Sequence, residues 1–168
     1  MSDRSTSAAA RATRPKVIVE RTYRARIEEM WDLWTTKEGF ESWWGPEGFR
    51  VEVHTLEARV GGTLYYDMIA DAPEQIEAMK RMGHPASHKT RGRFVELTPH
   101  KRLALTHMID FLPGVTPYES TMTVEFFPAG ERFFQRLALR REGAAAGDGA
   151  GSDVFECGRV RRDRKSVV

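Results

Sequence analysis

Residues 25–49 read ARIEEMWDLWTTKEGFESWWGPEGF and hold all four tryptophans, Trp31, Trp34, Trp43 and Trp44. Ile27, Met30, Trp31 and Trp34 fall at i, i+3, i+4 and i+7, one apolar stripe at helical spacing. Glu28, Glu29, Asp32 and Lys37 lie off that stripe and are expected to face water. Gly39 reads as the helix stop, since glycine is the usual residue just past a C-terminus. A second short turn, Glu41 to Trp44, then ends at Gly45-Pro46. Indoles at this density need a large apolar surface to pack against, and the rest of the chain has to supply it.

Outward from this segment the pattern is β. Upstream, Lys16–Tyr23 (KVIVERTY) is a β-rich run that enters the helix directly. Downstream, Phe49, Val51 and Val53 alternate with Arg50, Glu52 and His54, the period of a half-buried strand over 49–56. A Gly61-Gly62 turn leads to a strand over 63–69, with Leu64, Tyr66 and Met68 on one face. Residues 71–83 break the alternation. Asp71 as cap, Pro73 at a first helical position and Gly83 as stop predict a helix over 73–82. Strands follow over 90–97, 102–111, 120–127 and 131–140, separated by Pro/Gly turns. Leu103, Leu105, His107, Ile109 and Phe111 share one face. Connections this short between alternating runs predict an antiparallel meander. The expected class is α+β: a curved antiparallel sheet of about six to seven strands with a helix pair after the first.

At 168 residues the chain suits one domain. No apolar run approaches the ~20 residues that span a bilayer, and residues 1–15 read as a disordered tail. One cysteine, Cys157, forms no internal disulfide and suits a reducing, cytoplasmic compartment. The net charge of +2 hides an asymmetry: residues 1–16 carry +3 and 159–168 carry +4, which leaves −5 on the body. An acidic body with basic ends is not the footprint of a specific nucleic-acid binder.

The order strand, tryptophan helix, Trp43-Trp44-Gly45-Pro46, strand meander resembles the helix-grip superfamily, which includes the START and birch-pollen-allergen folds. More narrowly it resembles the Aha-type family, related to the C-terminal domain of the activator of heat-shock protein 90 ATPase. The matching words are Val17–Tyr23, Met30-Trp31, Leu33-Trp34-Thr35, the Gly61-Gly62 turn, Arg91-Gly92 and Arg102–Thr106. The resemblance covers residues 16–131, and the domain is drawn at 16–141. It implies a curved sheet whose cavity is closed by a long C-terminal helix. Residues 142–168 depart from that pattern. They carry glycines at 143, 147, 149, 151 and 158, each of which costs a helix ~1 kcal/mol relative to alanine. The gripping helix is therefore expected to be missing or replaced. Two explanations stand, a natural disordered tail or a reading frame shifted near Arg132, and the abrupt turn to Gly, Ala and Arg favours the second. Without that helix the inner face, including Leu105, His107, Ile109 and some of Met122, Val124 and Phe126, is expected to lack cover, which predicts a marginal or aggregation-prone monomer or a homodimer through that face.

Among chemically capable residues, His84 and His88 are four apart, but Gly83 and Pro85 place them in a loop, and no metal or other cofactor is expected. Asp67 and Asp110 fall by parity on the face opposite their apolar neighbours. His107 sits among apolar residues and points into the hollow. The resemblance implies a binding protein, taking a small hydrophobic molecule or a heat-shock protein 90-type chaperone, and no membrane partner is expected. The alternative it implies is an enzyme of the polyketide cyclase type, using His107, Tyr65 or Tyr66. Candidate ligand-lining residues are Trp43, Trp44, Tyr66, Met68, Met79, Phe94, Leu105, His107, Ile109, Met122 and Val124, with Met79 on a lid-like helix.

Overall fold

The computed structural model describes residues 16–110, 114–129 and 132–141. The expected tails at 1–15 and 142–168, Phe111 and the side-chain alternation over 131–140 lie outside the described residues. Ten elements follow in order: β1 (Lys16–Tyr23), α1 (Ile27–Thr35), α2 (Lys37–Trp43), β2 (Phe49–Leu56), β3 (Thr63–Ala70), α3 (Pro73–Arg81), β4 (Ser87–Thr98), β5 (Arg102–Ile109), β6 (Tyr118–Ala129) and β7 (Arg132–Arg141). The strands form one antiparallel sheet of seven in the order β1-β7-β6-β5-β4-β3-β2. The meander runs from β2 to β7 without a crossover, and β1 pairs with β7 at the far edge.

That topology explains where the helix pair goes. β1 and β2 are neighbours in sequence but occupy opposite edges of the sheet. At roughly 4.8 Å per strand the edges of a flat sheet would lie ~29 Å apart. The segment between them, α1 and α2, must therefore cross the inner face. Register shifts between Val53 and Thr55 and between Phe94 and Glu96 bend the strands that carry them. Glu41 of α2 uses the first irregularity: its carboxylate accepts the Val53 N–H at 2.7 Å.

The stripe read from the sequence is the buried side of α1, with Met30, Trp31 and Trp34 inside. They join Phe40 and Trp44 against Val51, Val53, Leu64, Tyr66, Phe94, Leu103, Leu105, Met122, Val124 and Phe126 in one core. Leu105 and Val124 are 0% exposed, and His107, Ile109, Met122 and Phe126 are also buried. The uncovered inner face expected from the sequence is therefore not found, and the argument for dimerising through it goes with it. The reason is the crossing just described. Trp31 meets Phe126 edge to face at 5.7 Å, and Trp44 lies over His107 at 6.0 Å, so the helix pair itself lies against this face.

Gly39 is a second correction. It does not end a helix but lies inside α2, whose cap is Thr36: its hydroxyl accepts the Gly39 N–H at 3.0 Å. A Cβ at position 39 would collide with the Asp32 backbone carbonyl and stand 2.7 Å from Thr36 Oγ1. The glycine is there because the two helices meet at that point. Gly39→Ala is expected to destabilise the fold by about 1–3 kcal/mol, against the ~1 kcal/mol that alanine gains in a helix. Urea denaturation measures this, and a variant more stable than the parent would show that the contact is easily relieved.

Smaller differences concern boundaries. β4 begins at Ser87 rather than Thr90, and β5 ends at Ile109. Asp71 does not cap α3. Ala72 occupies the cap without a side-chain bond, and the N–H groups of Asp71 and Ala72 both donate to the Gly48 carbonyl, at 2.9 and 3.0 Å. A neighbouring turn thus anchors the two residues that lead into the helix.

Candidate functional site

Alternation along β5 sends Leu103, Leu105, His107 and Ile109 inward. His107 is the polar exception, 7% exposed. On β3 the same alternation brings Tyr66 inward, and on β4 it brings Thr90, which is buried too. Trp44, where α2 ends, completes the group. Its indole N–H donates to the Tyr66 hydroxyl at 2.9 Å. Its ring lies nearly parallel to the His107 imidazole, 11° between planes, while the Tyr66 ring meets His107 at 78°. Phe40 stacks on Trp44 at 5.1 Å and meets Tyr66 at 5.5 Å with the rings tilted by 58°.

Gly92 is the residue directly opposite His107 on β4. A Cβ there would stand 2.9 Å from His107 Cδ2 and 3.1 Å from Nε2, so only glycine leaves the imidazole this room. The Nε2 atom is buried and has no hydrogen-bond partner among the described residues.

Burial decides the electrostatics. It pushes the His107 pKa down to about 4, so the imidazole is neutral near pH 7. Burial also pushes the Tyr66 hydroxyl up to about 12, although hydrogen bonding with Trp44 and Thr90 opposes the shift. Neither group is poised to exchange a proton near neutrality.

The structure brings Trp44, Tyr66, Phe94, Leu105, His107, Met122 and Val124 to the buried inner face, with Met68 half-buried against the same core. Ile109 is buried at the end of β5, and Trp43 is half-buried, its indole N–H donating to the Leu33 carbonyl at 2.8 Å. Met79 stands apart from this core: it is half-buried on α3, which packs near β3. Tyr65 leaves the site, since it faces outward beneath the Arg91 guanidinium, 5.1 Å from its ring centre. Asp67 is half-buried rather than exposed, 3.3 Å from His54 Nε2. His88 lies 3.2 Å from Asp110. Among the described residues no three His, Cys, Asp or Glu side chains gather as a metal site. No described helix is long and apolar enough to cross a membrane.

Sequence reading missed Thr90 and Gly92 as members of the site. Thr90 was open to it, because Thr90, Gly92 and Phe94 alternate. Gly92 was not, because its meaning depends on standing across from His107, a matter of register.

Comparison with known proteins agrees with this architecture. The family model described as Activator of Hsp90 ATPase homolog 1-like protein matches residues 24–153, further along the chain than the resemblance read over 16–131. No curated protein matches the chain significantly. Among solved structures, a Chromobacterium violaceum protein is similar with a TM-score of 0.61 at 21% identity, over 75% of this chain and 78% of that one. An Arthrobacter aurescens protein reaches 0.61 at 19% identity, over 76% and 69% of the two chains. A Nitrosomonas europaea protein reaches 0.59 at 19% identity, over 76% and 75%. At these identities the likeness is one of fold.

Proposed function

Because the chain belongs to the activator of Hsp90 ATPase homolog 1-like family, we propose that it is a non-enzymatic helix-grip protein that binds a small hydrophobic molecule. The ligand is taken against the inner face of the sheet, beside Trp44, Tyr66 and His107. One observation carries this choice over catalysis. The two titratable groups that meet Trp44 there, His107 and Tyr66, are buried, and burial holds their pKa values far from neutrality, at about 4 and about 12. A face of this kind solvates apolar matter and orients it through a few hydrogen bonds. The cyclase alternative would need a group that gains or loses a proton near the working pH.

The test is displacement of a fluorescent apolar probe from the purified protein. Competition by small hydrophobes without turnover supports binding. Turnover of a cyclisable polyketide-like substrate, lost in His107→Ala, would transfer the protein to the enzymes.

The family's description also supports a protein partner, a heat-shock protein 90-type chaperone, which would give the protein a stress-response role in the cytoplasm. Mixing with such a chaperone is then expected to raise its ATPase rate. No complex and no change in rate would remove that partner and leave ligand binding standing.

A further inference from the structure

We infer that the inner-face site selects an uncharged, hydroxyl-bearing apolar ligand, an alcohol or a phenol, and that His107 Nε2 is the atom that recognises the hydroxyl. This rests on the binding reading above and narrows its ligand class. Trp44 and Tyr66 are committed to each other at 2.9 Å, and Tyr66 also engages Thr90. His107 Nε2 is different: it is buried, and no described residue pairs with it. A polar atom left unpaired in the interior is costly, so such an atom is a place where a partner from outside gains most.

Gly92 is the second observation. A Cβ at the position facing His107 would stand 2.9 Å from Cδ2 and 3.1 Å from Nε2, so the imidazole packs against the Gly92 backbone and no side chain of β4 comes between that strand and the nitrogen. The charge state sets the chemistry of the partner. Burial keeps the imidazole neutral, so Nε2 is a donor in one tautomer and an acceptor in the other. A hydroxyl pairs with either. A carboxylate needs a cation, and the groups that meet His107, the Trp44 and Tyr66 rings, Gly92 across on β4 and Ser120 across on β6, supply none. Burying a charge without a counter-charge is unfavourable by far more than a hydrogen bond returns.

Calorimetric titration of the full chain with naphthalene, 2-naphthol and 2-naphthoate tests this, because the three share one ring system. 2-Naphthol is expected to bind about tenfold more tightly than naphthalene, the worth of one buried hydrogen bond, and 2-naphthoate more weakly than either. The 15N resonance of Nε2 should shift with 2-naphthol and not with naphthalene. In His107→Phe the ratio of the first two affinities should fall to near one. Gly92→Ala, which keeps the nitrogen but crowds it, should lower the same ratio and serves if the phenylalanine variant does not fold. Equal affinities in the native protein, a ratio that survives both substitutions, or tightest binding by 2-naphthoate would each overturn the inference while leaving ligand binding intact. Binding of none of the three by the folded protein would overturn the binding reading itself.

Discussion

Trp34→Ala is expected to lower the unfolding free energy by about 3–5 kcal/mol, the range for removing a fully buried large aromatic side chain. Trp34 is 0% exposed, and its indole meets Trp43 at 4.5 Å and Trp44 at 5.8 Å, so the hole opens in the middle of the aromatic cluster. The neighbours are held from several sides. Trp43 is tied to the Leu33 carbonyl, and Phe40 packs against both Trp43 and Trp44. They have little freedom to collapse into the space, which argues for the upper part of the range. Domains are stable by only ~5–15 kcal/mol, so the variant should unfold at much lower denaturant or fail to accumulate. Trp43→Ala, at a half-buried position, is expected to be milder. Equilibrium denaturation followed by far-ultraviolet circular dichroism separates the two. A loss below about 1 kcal/mol at Trp34 would mean that the helix pair is not the main cover of the inner face.

The buried His107 imidazole should make the protein less stable in acid. In the unfolded chain His107 takes up its proton near pH 6.5, the ordinary value; in the folded protein burial delays this to about pH 4. Between those values the unfolded state binds the extra proton, so stability falls as the pH falls. The contribution is whole above about pH 6.5 and lost below about pH 4, and it amounts to roughly 3 kcal/mol. Tyr66, whose ring meets His107, is pushed up to about 12 and keeps its proton throughout this window. Carboxylates also titrate in the lower part of the window, so the informative quantity is a difference. The pH slope between 6.5 and 4.5 should be shallower in His107→Gln than in the parent. Parallel slopes would show that the imidazole is solvated or paired in the folded protein.

The elements were legible in the sequence because their signals are local. The i, i+3, i+4, i+7 stripe identifies α1, and alternation identifies β2, β3 and β5 with little ambiguity, since each side chain's face is decided by its own neighbours in the chain. The helix pair, the Trp-Trp-Gly-Pro junction and the family resemblance all follow from that. Gly39 shows where local reading misleads. A glycine after an apolar stripe looks like a stop, yet here it answers to the Asp32 carbonyl across a helix–helix contact. The covered inner face shows the same limit at larger scale. From sequence the face needs a C-terminal helix; in the structure the crossing from one sheet edge to the other already lays Trp31, Trp34, Phe40 and Trp44 upon it.

Periodicity and composition alone thus determined the strands, the tryptophan helix, the fold class and the inward aim of His107, because side-chain direction repeats every two residues in a strand and about every 3.6 in a helix. Only the tertiary structure decided that Tyr65 leaves the site while Tyr66 joins Trp44, that Gly92 stands across from His107, and that Nε2 is left buried without a partner. Those facts depend on strand register and on which distant segments meet, and desolvation, which makes the imidazole neutral, is a property of the surroundings rather than of the residue.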